Sequence, residues 1–235
     1  MLALARGSLP SLRDERPWDI VLFGVFLAAL NLCFYAALDR LSLGIAVTLE
    51  FVGPLAVAVF GSRRRRDLLW ALLAALGILL LSDGGGGIDA LGAALALAAG
   101  GFWALYILQS ARVGANHQGF GGLALAAAIA AVLVAPFGIA QGGGELLTPA
   151  HLAVGLGVGL LSSALPFTLE LEALRRLPKA VFGVLMSLEP AVAALVGFIA
   201  LSQGLAAVEA LAIALVVAAC AGALRSAATP VPRDG

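Results

Sequence analysis

The chain has 235 residues, of which 62% are hydrophobic and 12% are charged, and its mean hydropathy is +1.05. This composition provides too little polar surface to enclose a soluble core, so it excludes a soluble protein and indicates an integral membrane protein. The formal net charge is zero and no basic helix carries interleaved aromatics, which argues against a nucleic-acid partner.

Eight apolar runs predict eight transmembrane helices, at 20–38, 41–60, 68–82, 88–109, 119–140, 152–171, 180–201 and 205–224. The third run is short, and we expect the arginines before it to extend the span by reaching the interface. The runs are apolar all round and do not alternate, which argues against membrane β-strands. The first apolar stretch, MLALA, is too short for a cleavable signal peptide.

The basic residues predict the orientation of the helices. With the N-terminus in the cytoplasm, 13 of the 14 Lys and Arg residues fall in cytoplasmic segments, including the run Arg63–Arg66, and only Arg40 lies outside. Cytoplasmic loops of membrane proteins carry such an excess of Lys and Arg. We therefore expect both termini to be cytoplasmic.

The sequence gives no sign of a metal site, a cofactor or an enzyme. Cys33 and Cys220 lie singly in apolar runs, and His117 and His151 lie in or beside loops without other ligands. No nucleophile, base or metal ligands recur at a useful spacing. We expect no cofactor, no metal and no catalytic residues.

Two segments of the chain are copies of one unit. ALDRL at 37–41 matches ALRRL at 173–177, and LGIAVTLE at 43–50 matches FGVLMSLE at 182–189. In the predicted topology the first copy faces outward and the second faces the cytoplasm, so the units are inverted. Inverted repeats are typical of secondary transporters, whose halves move around a site near the membrane midplane.

Three blocks of the chain resemble EamA-type members of the drug/metabolite transporter superfamily, and most closely the threonine/homoserine exporters. They are LGIAVTLEFVGPLAVAVFGSRR at 43–64, ALPFTLELEALRRLP at 164–178 and FGVLMSLEPAVAAL at 182–195. The resemblance implies two five-helix units, a bacterial inner-membrane location and efflux of small amino acids driven by protons. It divides this chain into a partial first repeat at 1–83 with three helices, a second repeat at 88–225 with five, and a cytoplasmic tail at 226–235.

Two glutamates interrupt the predicted spans near the membrane midplane. Glu50 is followed by Pro54, and Glu189 by Pro190, so both acids lie where a proline loosens the helix. An acid at a helix centre costs about 2.5–3.5 kcal/mol on insertion scales, so it persists mainly where a proton, a cavity or a partner compensates. We expect a functional role for the pair, and the alternative is that both are neutral acids that hydrogen-bond neighbouring helices.

Further polar and helix-breaking residues are candidates for the substrate or proton site. Glu170 follows Pro166 but lies near the cytoplasmic end of its span, where an acid costs little, so function and solvation are equally open. Hydroxyl, amide and aromatic side chains that could line the site, or only pack between helices, are Thr48, Ser187, Asn31, Tyr35 and Trp103.

The sequence therefore predicts an all-α inner-membrane exporter of small amino acids or related metabolites, coupled to proton antiport. Its partners are a small-molecule substrate, protons and the lipid bilayer, and a homodimer is left open. The alternatives are a non-transporting membrane subunit or an inactive transporter remnant. Because two helices of the second repeat have no counterpart in the first, we expect the natural reading frame to extend upstream by about 50–70 residues that encode two further spans.

The orientation can be tested with single cysteines. Cysteines at Gly85 and Gly143 should react with a membrane-impermeant reagent from outside sealed cells, because both positions fall in predicted outer loops without Lys or Arg. Cysteines at Arg64 and Gln118 should not react. Labelling of Arg64→Cys from outside would overturn the eight-helix topology.

Overall fold

The computed structural model describes residues 17–61, 67–83, 88–116, 121–166, 169 and 187–228, and within them the chain is helical and forms no strand. Numbered in chain order, the helices are α1 (Pro17–Leu38), α2 (Leu43–Glu50), α3 (Val52–Gly61), α4 (Asp67–Asp83), α5 (Ala90–Asn116), α6 (Gly121–Gly142), α7 (Pro149–Gly159), α8 (Glu189–Ala200) and α9 (Ala207–Ala228). A 3-10 turn, Gly143–Leu147, precedes α7, and a π-helical turn, Leu160–Ala164, follows it.

The lengths of the helices match a membrane protein. In the described ranges, the stretches long and apolar enough to cross a membrane are Trp18–Leu38, Ala90–Ser110, Gly121–Leu147 and Ala207–Arg225. Shorter apolar helices occupy Leu43–Val57, Leu69–Ile78, Pro149–Ser162 and Glu189–Ala200. The predicted all-helical architecture is confirmed, and each of these stretches overlaps one of the eight predicted runs. That all eight cross the membrane stays a prediction.

Two of the predicted spans are less regular than expected, and a proline explains each departure. The run 41–60 forms two helices, α2 and α3, which meet at a turn at Phe51. Pro54 has no N–H to donate to the carbonyl of Glu50, so the helix loses one hydrogen bond at that point. Pro166 likewise cannot donate to Ser162, which lies in the π-helical turn.

The chain forms two compact units. The first contains residues 1–28 and 109–178, and the second contains residues 29–108 and 179–235. These units are defined by packing, whereas the repeats predicted at 1–83 and 88–225 are defined by sequence similarity. The repeats stay a prediction.

In the first unit, α1 packs against α6 at a glycine. A Cβ added to Gly24 would lie 2.7 Å from Cβ of Ile129, so the two helices approach closely there. Nearby, the side-chain nitrogen of Gln109 donates hydrogen bonds to the backbone oxygen of Asp19, at 3.0 Å, and to its carboxylate, at 2.9 Å. Gln109 is only 2% exposed, so these bonds satisfy a buried polar group.

In the second unit, α2 and α3 present one continuous apolar ridge. Its residues are buried, recur every four positions and pack with side chains of α4 and α9; they are Val47, Phe51, Leu55 and Val59. Residues four apart lie on the same face of a helix. The ridge therefore passes through the turn at Phe51 without a change of face.

Small residues let α4 and α9 approach closely. A Cβ added to Gly77 of α4 would lie 2.9 Å from the carbonyl oxygen of Ala212, and one added to Gly222 of α9 would lie 2.5 Å from three carbons of the Trp70 indole. Close contact at small residues is the usual source of stability between helices in membranes.

The first turn of α2 is capped from a distant part of the sequence. Ser42, the residue before the helix, makes no side-chain capping bond. The side-chain oxygen of Gln203 instead accepts the N–H of Leu43 at 3.0 Å. Gln203 reaches this position because Ser202 adopts a left-handed conformation, with φ of 53°, just after α8. The connection between α8 and α9 therefore fixes the start of α2.

Gly222→Ala should destabilise the protein by about 1–3 kcal/mol, because its methyl group has no space beside Trp70. Thermal unfolding in detergent measures the change. Gly157→Ala is the matched control, since a Cβ at Gly157 meets no atom within 4 Å and alanine favours a helix by about 1 kcal/mol. Equal melting temperatures for both variants would contradict the packing of α4 on α9.

Gln203→Leu should lower stability by about 1–3 kcal/mol, because it leaves the N–H of Leu43 without its acceptor. Gln203→Glu keeps an acceptor oxygen at similar reach and should lose less. The same thermal unfolding measurement compares the two. A glutamate variant as unstable as the leucine variant would show that the capping bond does not contribute.

Candidate functional site

Glu50 lies at the C-terminal end of α2, deep in the second unit. The two residues before it, Thr48 and Leu49, are buried, as is Phe51 after it, and Glu50 itself is half-buried. An acidic side chain in apolar surroundings keeps its charge only where a counter-charge or polar groups compensate. The position therefore suits a group that gains and loses a proton or binds a cation.

The helix around Glu50 lacks the hydrogen bond that would normally reach the Glu50 carbonyl. Phe51 donates its N–H to the carbonyl of Val47 at 3.0 Å, and Leu55 donates to the carbonyl of Phe51 at 3.1 Å. Between these bonds, the carbonyl of Glu50 has no donor four residues ahead, because residue 54 is proline. The interruption predicted from Pro54 therefore includes the carbonyl of Glu50, the residue that carries the carboxylate.

Helix α5 covers this interruption with a glycine. A Cβ added to Gly100 would lie 2.5 Å from the carbonyl oxygen of Glu50, and one added to Gly53 would collide with the carbonyl of Gly100. Only residues without a side chain allow α5 and the break to lie this close. One turn further along α5, the Trp103 ring packs edge-on against Phe51, with 5.0 Å between the ring centroids.

The second glutamate is brought to the same unit. Glu189 is the first residue of α8 and is exposed, and its carboxylate acts electrostatically on that of Glu50. Helix α8 packs against α2, where a Cβ on Gly44 would lie 2.6 Å from Cβ of Ala194. The structure therefore brings together the two glutamates that the sequence singled out.

Glu189 lies in a different local setting from the one predicted. The sequence predicted a continuous span at 180–201 with Glu189 in its middle, whereas the structure begins α8 at Glu189, and residues 180–186 lie outside the described part. The reason is Pro190, which disfavours helical geometry at the preceding residue and is well suited to the first turn of a helix. An acid in the first helical turn is also favoured by the helix dipole.

The hydroxyl candidates are both buried. Thr48 is fully buried and donates its hydroxyl hydrogen to the carbonyl of Gly44 at 2.6 Å, within its own helix. Ser187, just before α8, is fully buried as well. The Thr48 hydroxyl retains its lone pairs, so toward any ligand it acts as an acceptor.

The remaining candidates have different positions. Asn31 is half-buried on α1, and Tyr35, one turn later, is 55% exposed with its ring against Phe34. Pro166 follows the π-helical turn in the first unit. Glu170 lies outside the described residues.

The charge around the pair has one sign. Helices α2, α3 and α8, together with residues 90–108 of α5, contain no Lys, Arg or His. In the described residues no group of three or more His, Cys, Asp or Glu side chains could hold a metal ion. The arrangement can therefore attract protons and ammonium groups, while it offers no basic side chain to an anion.

Sequence reasoning did not identify the glycines at this site. Gly53, Gly100 and Gly44 read as ordinary small residues of apolar helices, because a glycine pattern does not say which helix approaches it. A signal was present in the pair Gly100–Gly101 inside a long apolar helix, where glycine costs about 1 kcal/mol relative to alanine and needs a compensating contact.

Comparison with known proteins identifies the family of the chain. Residues 90–225 match the family model described as the EamA-like transporter family. The threonine/homoserine exporters RhtA of Salmonella typhimurium strain LT2 and of Escherichia coli strain K12 are each 43% identical over 234 residues, which cover 94% of this chain and 79% of the exporter. No solved structure gives a significant match. The resemblance seen in the sequence is confirmed, and this chain belongs to the EamA-like transporter family, whose members are transporters and not enzymes.

Proposed function

We propose that this protein exports small amino acids of the threonine and homoserine type across the bacterial inner membrane in exchange for protons. The observation that carries the proposal is the meeting of Glu50 and Glu189 in one unit, at a helix break, without a basic side chain on the helices around them. The names of two relatives at 43% identity support the substrate class.

The chemistry of exchange follows from the charge of the pair. A carboxylate can bind either a proton or the α-ammonium group of an amino acid, and each of these cations neutralises one negative charge. Binding of a proton therefore releases the ammonium group, and loss of the proton restores the charge that attracts the next substrate. Two carboxylates close together repel each other, which favours occupancy of at least one by a cation at all times.

The carboxylate of the substrate needs a different partner. We assign it to hydroxyl and amide donors, of which Ser187 and Asn31 are the candidates, while Thr48 accepts from the ammonium group because its own hydrogen is held by Gly44. Tyr35 and Trp103 complete the lining in this proposal, and Glu170 provides a further proton step near the cytoplasm. The helix breaks at Pro54, Pro166 and Pro190 supply the irregular backbone that transporter sites use.

The proposed topology has eight spans, with both termini in the cytoplasm. The split of basic residues, with 13 of 14 on one side, supports the orientation. The sequence match between residues 43–50 and 182–189 supports an inverted repeat divided between 1–83 and 88–225, followed by the tail at 226–235. A monomer suffices for this scheme, and a homodimer is compatible with it.

Replacement of either glutamate by glutamine tests the proposal. In proteoliposomes with an imposed proton gradient, Glu50→Gln and Glu189→Gln should lose exchange of labelled threonine, because an amide neither carries a proton nor balances an ammonium. Loss of a charge-assisted bond worth about 1.5–3 kcal/mol corresponds to a roughly ten- to hundredfold weaker affinity. Glu50→Asp and Glu189→Asp should fall between wild type and the amides.

Glu209→Gln is the matched control. Glu209 also lies in the first turn of a helix, α9, but its carboxylate accepts the N–H of Ala206 at 2.9 Å and so performs local capping. This variant should exchange threonine at the wild-type rate. Full exchange by both Glu50→Gln and Glu189→Gln would assign the pair to packing, and an inactive wild-type protein would favour a non-transporting subunit or remnant.

A further inference from the structure

We propose that Gly100 is a positioning residue for Glu50: its α carbon packs on the Glu50 carbonyl, to which residue 54 cannot donate, and thereby fixes where the carboxylate lies and at which pH it exchanges its proton. This inference rests on the proposed function, since it concerns the proton step of the same site. It adds a residue on a different helix, with no polar side chain of its own, to the transport mechanism.

The shortest distance in this contact is to the carbonyl oxygen of Glu50. A methyl group on Gly100 would lie 2.5 Å from the carbonyl oxygen of Glu50, 3.2 Å from its carbonyl carbon and 3.3 Å from its α carbon. The neighbouring Gly101, on the same helix, has no atom within 4 Å of such a methyl group. Of this adjacent pair, only Gly100 is required by a contact.

The contacted carbonyl is also the one that the helix leaves without a donor. Because Pro54 has no N–H, the Glu50 oxygen must be met by something other than its own helix. The α carbon of Gly100 beside this oxygen offers weak C–H donors and keeps water from it. On the other side of the break, Trp103 holds Phe51. Helix α5 thus contacts the break at both Glu50 and Phe51, and these contacts set the position of the backbone that carries the Glu50 side chain.

Few charged groups act on Glu50, so a displacement of its backbone should be detectable as a shift of the pH profile of exchange. The carboxylate of Glu189, on α8, acts electrostatically on that of Glu50. The other titratable residues of the elements packed in this unit are Cys33, Tyr35 and Asp39 at α1, Arg40 (which pairs with Asp89) between α1 and α2, Asp67 and Asp83 at the ends of α4, Asp89 and Tyr106 at α5, and Glu209, Cys220 and Arg225 of α9.

An alanine at residue 100 would push the break away from α5. An ordinary contact between a carbon and a carbonyl oxygen is about 3.3–3.6 Å, so the Glu50 backbone would have to retreat by roughly 0.8 Å or more. Water can then reach the carbonyl and the nearby carboxylate, which makes the charged form of Glu50 less costly. Loading the proton would consequently need a more acidic solution.

The test compares two adjacent alanine variants in proteoliposomes. We expect Gly100→Ala to shift the pH at which threonine–proton exchange is half-maximal by about 0.5–1 unit to lower pH, because solvation changes the proton affinity of Glu50. Gly101→Ala should keep the wild-type profile. Unshifted exchange by Gly100→Ala, or the same shift in Gly101→Ala, would overturn the proposal.

A second substitution separates positioning from general packing. Pro54→Ala supplies an N–H that can bond the Glu50 carbonyl and draw it back toward the helix axis, away from residue 100. The effect of Gly100→Ala should therefore be smaller in the Pro54→Ala background, as a double-mutant cycle measures. If Gly100→Ala alone cannot be purified, Pro54→Ala should restore its recovery. Equal shifts in both backgrounds, or no recovery in either, would overturn the role of the carbonyl.

An infrared measurement keeps this test independent of transport. The band of the protonated carboxyl group that disappears in Glu50→Gln should titrate at lower pH in Gly100→Ala than in Gly101→Ala. If the band titrates at lower pH in Gly100→Ala but the wild-type protein does not exchange threonine, the proposed function fails while the positioning role stands. If the wild-type protein exchanges threonine and the band titrates at the same pH in Gly100→Ala and Gly101→Ala, the positioning role alone fails.

Discussion

One hydrogen bond that cannot form organises the centre of the second unit. Residue 54 is proline, so the carbonyl of Glu50 cannot accept the usual helical N–H, whereas Phe51 still donates to the carbonyl of Val47 and Leu55 to that of Phe51. Away from water, an unpaired carbonyl has to be covered by another part of the chain. Helix α5 supplies that cover through Gly100, and this requirement determines how closely α5 approaches α2 and α3.

The remaining contacts of this unit obey the rules of helix association in lipid. Apolar surface alone gives helices little reason to associate there, since lipid tails are as apolar as leucine. Contact instead depends on small residues, as at Gly44 against Ala194 and Gly222 against Trp70, and on a few polar bonds such as Gln203 to Leu43. The acidic pair thus lies in a unit whose helices are held by shape, so a change of shape can be transmitted to the carboxylates.

The features that could be predicted from sequence were those that depend on residues close together in the chain. The helical class, the positions of the apolar stretches and the loosening at Pro54 all follow from local composition and from the missing N–H of proline. Glu50 and Glu189 were paired through the sequence repeat. The cap from Gln203 and the cover from Gly100 were not predictable, because each joins segments far apart in the sequence. The start of α8 at Glu189 was missed because the apolar run at 180–201 was given more weight than Pro190, which favours the first turn of a helix.

The apolar ridge of α2 and α3 has a mechanical consequence. Val47, Phe51, Leu55 and Val59 keep one face toward α4 and α9, while the missing hydrogen bond lies at the Glu50 carbonyl, which faces α5. The pair α2 and α3 is therefore packed continuously along one face and lacks a hydrogen bond on another, so it should bend most easily in one direction. Flexing about the ridge would change the separation of the Glu50 backbone from Gly100 of α5. A small tilt of α2 relative to α3 therefore suffices to move the backbone that carries the Glu50 carboxylate. The ridge residues can keep their packing on α4 and α9, while Phe51 moves together with Trp103 of α5.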